Sequence, residues 1–343
     1  MAFDSDPPGP RPDITLPELP PDLRPSIDLR QEWPGWSGWD VLLIALVTIA
    51  TIFVLSGIAL AIASALPSFH GIPITELARD ARIIVPVQVV AYAIVIGLMA
   101  LIVRRGTNRR FWRDIEWNFP RTNWHWFLVA GVVLAIVVQL SSAVLPIPKQ
   151  LPIENFFKTT TSAYLMAIFG ISAAPLFEEL FFRGLLYPKA ATSVPAVFVL
   201  GLVELLVVLI ASPKSGFILW VIPVVVVLAF CGWMLYLWLS EGARAFQASD
   251  DRRRLGTIIG VTATAFCFAL IHQAQLGYAW GPLLLLFFVG LVLTLVRAQL
   301  HTVGGSFLIH VAYNTTLFAL LWISTDRFQH MEKAAIAIID RLR

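Results

Sequence analysis

Pro175-Leu176-Phe177-Glu178-Glu179-Leu180-Phe181-Phe182-Arg183-Gly184 sets three ionisable side chains in a run that is otherwise apolar. A charge at the centre of a bilayer costs about 3 kcal/mol on insertion scales, and more on others. Glu179 and Arg183 are four residues apart with the acid on the N-terminal side, the better order for an ion pair on one helix face. That pair neutralises itself. Glu178 is rotated by about 100° and has no partner in its own helix. An unpaired carboxylate at membrane depth marks a functional site, so its partners are expected elsewhere in the chain.

The composition around this stretch is that of a membrane protein. Of 343 residues, 58% are hydrophobic and 14% charged. Several apolar runs approach the roughly 20 residues that cross a bilayer as a helix. The fold class expected is all-α, a polytopic transmembrane bundle of eight or nine spans. The candidate spans are 41–66, 81–103, 124–145, 161–188, 194–212, 216–240, 257–277, 281–299 and 305–325. Residues 1–38, rich in Pro and Asp, are expected to form a flexible tail without a signal peptide. N-terminal transmembrane helices follow over 39–155, a core with an inserted helical segment at about 190–256 occupies 156–325, and an interfacial tail closes 326–343. The net charge of +3 does not suggest a nucleic-acid partner; its bases sit in loops. Arg104, Arg105, Arg109, Arg110, Arg113 and Arg121 place the loop after the second span in the cytoplasm, and with it the N-terminus. The two cysteines, Cys231 and Cys267, suggest neither a disulfide framework nor a cysteine metal site.

Pro175 has no N–H for the carbonyl of Ile171, so the 161–188 helix should kink or restart there. A break just before Glu178 would admit water to the carboxylate.

Two other spans carry polar groups at depth. Phe268 and His272 are four residues apart, as are His310 and Asn314, so each pair shares a helix face. Taken singly, either histidine could serve as an interhelical hydrogen bond worth about 1 kcal/mol. Taken with Glu178, they form an acid–base set with a donor for an oxyanion. His70, His125, His301 and His330 lie in belts or loops and receive no role.

The three motifs in order, Glu178-Glu179-x-x-x-Arg183, Phe268-x-x-x-His272 and His310-x-x-x-Asn314, resemble the CPBP intramembrane proteases. That family includes the CAAX prenyl endopeptidases, the bacteriocin-processing enzymes and the Abi-type proteins. Phe182-Arg183-Gly184 and Gly304-Gly305-Ser306 fit the same pattern, and the resemblance covers roughly residues 160–325. One departure is the long stretch, 190–256, between the first two motifs. The resemblance implies hydrolysis of a peptide bond in a membrane-associated or lipidated protein. Glu178 would be the general base on a water held by His272, and His310 and Asn314 would stabilise the oxyanion. Glu179, Arg183 and Phe268 would support them. The cofactor is either none or zinc; if a metal is present, Glu178, His272 and His310 are its ligands, an open two-His, one-carboxylate set. The His-Glu-x-x-His spacing is absent. Two other functions fit the same residues: a proton-coupled transporter, and a catalytically silent scaffold or immunity-type protein on the protease fold.

Overall fold

The computed structural model describes residues 34–105, 109–148, 150–192 and 250–330, with Val225, Ala229 and Gly232 in between. Residues 1–33 of the expected tail, the span 194–212, all of 216–240 but those three residues, and the 331–343 segment fall outside the described residues, whereas residues 34–38 lead into α1 with Trp36 buried. The rest is helical, without a strand among the described residues. Its main helices are α1 (Gly38–Ala65), α2 (Ala81–Val103), α3 (Trp124–Ser142), α4 (Thr160–Ile171), α5 (Ala173–Glu178), α6 (Tyr187–Thr192), α7 (Asp250–Leu270), α8 (Trp280–Leu300) and α9 (Val303–Ser324). A π-helix, Glu179–Leu186, joins α5 to α6. Among the described residues, six helical segments are long and apolar enough to cross a membrane, with Thr160–Thr192 taken as one.

Helix starts follow local chemistry. Ser37 and Asp40 close a capping box on α1. Asp80 caps α2 by accepting from the Arg82 amide, and Thr302 caps α9 by accepting from Gly305. The hydrogen bonds from Arg82 hold the Asp80 carboxyl below the usual carboxylate range.

The bundle pairs α1 with α2, α3 with α9, and α7 with both α6 and α8. The broken segment α4–α6 runs through the middle, touching α2, α7, α8 and α9. The α3–α9 crossing depends on Gly131, where a Cβ would collide with the Ile309 carbonyl and the Ala312 methyl. The core collects Val95, Met99, Phe177, Leu180, Leu185, Leu293 and Ile309 around that central segment.

Two expectations about helices change in detail. The expected break near Pro175 occurs one turn earlier, at Ser172, whose φ of −119° and ψ of −81° leave the helix. Pro175 then falls in the first turn of α5, where its missing N–H costs nothing. The expected 257–277 span is shorter than proposed: α7 stops at Leu270, and only Gly256–Leu270 is apolar. His272 therefore lies in the turn after the helix and not within it.

Candidate active site

Local backbone explains how two neighbouring glutamates diverge. α5 ends at Glu178, and the π-helix begins at Glu179. Glu179 turns into the protein, where it and Arg183 are both fully buried. The Arg183 guanidinium donates to Glu179 Oε1 at 3.0 Å and to the Gly290 carbonyl at 3.2 Å. It also lies 4.5 Å over the Phe268 ring. The Arg297 side chain of α8 donates to the Arg183 carbonyl at 3.2 Å, tying the backbone of the π-helix to α8. The expected i,i+4 pair is present and faces protein.

Glu178 faces the opposite way, into a cavity of about 460 Å³. His272, His310 and Asn314 line the same cavity, so the four residues expected to act together are brought together. The Glu178 carboxylate lies between the histidines: Oε1 is 3.8 Å from His272 Nε2, and Oε2 is 3.8 Å from His310 Nε2. Those separations are too long for direct hydrogen bonds. An oxygen seated beside them can bond to both sides.

The far nitrogen of each ring fixes its tautomer. His272 Nδ1 is 2.8 Å from the Phe268 carbonyl, which can only accept, so Nδ1 carries the proton. His310 Nδ1 is 2.9 Å from Glu179 Oε1 and donates to that carboxylate. In the neutral forms both Nε2 atoms thus present lone pairs toward Glu178. Phe268 holds this arrangement from the centre. Its ring centroid is 5.2 Å from that of His272, 5.8 Å from that of His310 and 5.4 Å from that of Phe182.

Asn314 is tied to the helix break. Its Nδ2 donates to the Gly170 carbonyl at 2.6 Å, in the last turn before Ser172. The break leaves carbonyls without helical partners, and Asn314 satisfies one of them while its second N–H remains. A Cβ at Gly170 would press on the Phe318 ring, which would have to shift.

Three features were not foreseen from the sequence. The Glu179–His310 hydrogen bond makes the second glutamate a partner of His310 as well as of Arg183. Gln88 and Tyr92 of α2 line the cavity, and Tyr92 stacks on Phe177 with centroids 4.0 Å apart. The signal was available, since Gln88 and Tyr92 are an i,i+4 polar pair in an apolar span. A second ion pair, Arg297 with Glu116, lies outside the site.

Glu178, His272 and His310 have the composition of a zinc ligand set. Among the described residues, however, no group of three His, Cys, Asp or Glu is arranged to hold a metal ion. The set as placed does not fit the metal, and no chemical step is assigned to one.

No curated protein and no solved structure matches the chain. The family model described as type II CAAX prenyl endopeptidase Rce1-like matches residues 242–316, a stretch that contains Phe268, His272, His310 and Asn314 but not the glutamates. Over those residues the chain is similar to the Rce1-like CAAX prenyl endopeptidases, which bears out the resemblance to the CPBP intramembrane proteases carried by its three motifs.

Proposed function

We propose that the cavity is the active site of an intramembrane endopeptidase that hydrolyses a peptide bond in a membrane-associated or lipidated protein. The observation that carries this reading is the placement of one carboxylate 3.8 Å from each of two imidazole Nε2 atoms, with both Nδ1 protons committed elsewhere. The match to a CAAX-type protease family supports it at the level of the reaction.

A water beside Glu178 and His272 would donate one hydrogen to the carboxylate and the other to Nε2. That leaves its oxygen lone pairs facing the substrate carbonyl. Glu178 takes the proton as the carbon–oxygen bond forms. The tetrahedral oxygen is met by the free N–H of Asn314, and His310, held on Nδ1 by Glu179, would add an Nε2–H donor on taking up a second proton. The proton held on Glu178 then passes to the leaving amine as the carbon–nitrogen bond breaks. Glu179 stays charged through its pair with Arg183, so it does not compete for the proton of Glu178.

The test is cleavage of a lipidated peptide by purified protein in liposomes. The wild type should release the C-terminal fragment, and Glu178→Gln should not. Equal cleavage by the two would reject this assignment.

A further inference from the structure

The two ends of the bundle differ in charge, and the cavity extends to only one of them. At the first end α1 begins where α2 stops, and Arg105 pairs with Asp40 at 3.0 Å. There the loop after α2 holds the end of α8 and the start of α9. Glu116 pairs with Arg297, Asn118 donates to the His301 carbonyl at 3.0 Å, and Thr302 donates to Asn118 at 2.8 Å. This end carries Arg104, Arg105, Arg109, Arg110, Arg113 and Arg121, and α7 starts from it with Arg252, Arg253 and Arg254 in its first turns.

The other end is joined by different contacts. The Ile153 amide donates to the Gln275 carbonyl at 3.0 Å, and Thr160 donates to the Phe328 carbonyl at 3.0 Å. Its described loops hold Arg79, Lys158 and Arg327, and Arg82 opens α2. Arg82 is paired with Asp80. Lys333, Arg341 and Arg343 follow α9 in residues outside those described and are not counted.

The cavity belongs to this second, less basic end. Ile84 comes from the first turn of α2, Pro282 from the first turn of α8 and Leu321 from the last turn of α9. Ile153 and Gln275 come from the connecting segments at that end. Toward the basic end the lining stops at Glu178, Val289 and His310.

Short loops rich in Arg and Lys stay in the cytoplasm. We propose that the cavity opens on the extracytoplasmic face, and that the bond it takes lies in an extracytoplasmic segment of a membrane-anchored protein rather than in a tail presented from the cytoplasm. The sidedness stands on charge and geometry; the substrate half rests on the protease reading above.

Single cysteines read by a membrane-impermeant maleimide in intact cells test the sidedness. Cys231 and Cys267 are first replaced by alanine, so that each variant carries one thiol. Cysteine replaces His70 or Ala274 at the cavity end, or Arg110 at the basic end; all three positions are exposed. The expected result is labelling of His70→Cys and Ala274→Cys in intact cells, with Arg110→Cys labelled only after permeabilisation. The reverse pattern, or labelling at both ends, overturns the proposal. New protein termini are then compared in cells carrying the wild type or Glu178→Gln. The expected termini lie in extracytoplasmic segments; termini in cytoplasmic segments overturn the substrate half. No difference in termini defeats the protease reading while the labelling still decides the sidedness.

Discussion

Glu179 Oε1 accepts the Nδ1 proton of His310 at 2.9 Å, while Glu178, its neighbour in the chain, approaches the Nε2 of the same ring at 3.8 Å. One imidazole is thus gripped on its far side by one glutamate and offered on its near side to the other. The change from α-helix to π-helix between residues 178 and 179 accompanies this divergence. π-turns inside helices are frequent at functional sites.

Arg183 should be required for folding. Removing one partner of a buried ion pair leaves the other charge without compensation, at a cost of about 3–5 kcal/mol. Arg183→Ala should therefore lower the thermal midpoint in detergent and the activity together. Arg183→Lys should recover little, because a single ammonium cannot serve Glu179, the Gly290 carbonyl and the Phe268 face at once. An Arg183→Ala protein with wild-type stability would contradict the role given to the pair.

Asn314 carries two duties, so its variants should show two effects. Asn314→Ala leaves the Gly170 carbonyl without its partner, at about 1–3 kcal/mol of stability. Its loss from the site should also lower kcat by about 10²–10³-fold with little change in KM. Denaturation midpoints and steady-state kinetics on the same preparation separate the two. A change in stability with kcat intact would leave Asn314 a purely structural residue.

Glu179→Gln tests the grip on His310. The amide can still accept from Nδ1 through its oxygen but no longer stabilises an imidazolium. Cleavage should fall by more than stability alone explains, and the pH–rate profile should change shape, which a packing defect would not cause. An unchanged profile at full activity would remove Glu179 from the positioning of His310.

Gly131→Leu should separate α3 from α9, because a side chain at that position meets the Ile309 carbonyl at once. Overpacking of this kind costs about 1–3 kcal/mol. Thermal stability in detergent measures it, and a wild-type midpoint would show that the crossing tolerates a side chain.

Much of this arrangement was legible in the sequence, and the exceptions have physical causes. The Glu179–Arg183 pair could be read because charge at depth must be neutralised and i,i+4 spacing permits it. The break before Glu178 could be read from Pro175, although Ser172 takes the non-helical angles. α2 begins and ends where the apolar run does, at 81 and 103. The position of His272 departs from the expectation because Cys267 to Ile271 are as apolar as a span interior, and nothing local shows that the helix stops at Leu270. Its spacing from Phe268 still mattered, through a ring nitrogen bonded to the Phe268 carbonyl. The π-helix has no compositional signature, since the same residues suit an α-helix. The Glu179–His310 bond joins residues 131 positions apart, and only tertiary packing reveals it.

The most direct measurement of the central claim is single-turnover cleavage of a lipidated peptide in proteoliposomes prepared in ¹⁸O-water, by the wild type and by Glu178→Gln. The wild type should place one ¹⁸O in the new carboxylate. Glu178→Gln, matched to it in stability, should cleave slower by about 10²–10⁴-fold, the contribution of a general base. Undiminished cleavage by a well-folded Glu178→Gln protein would contradict the account.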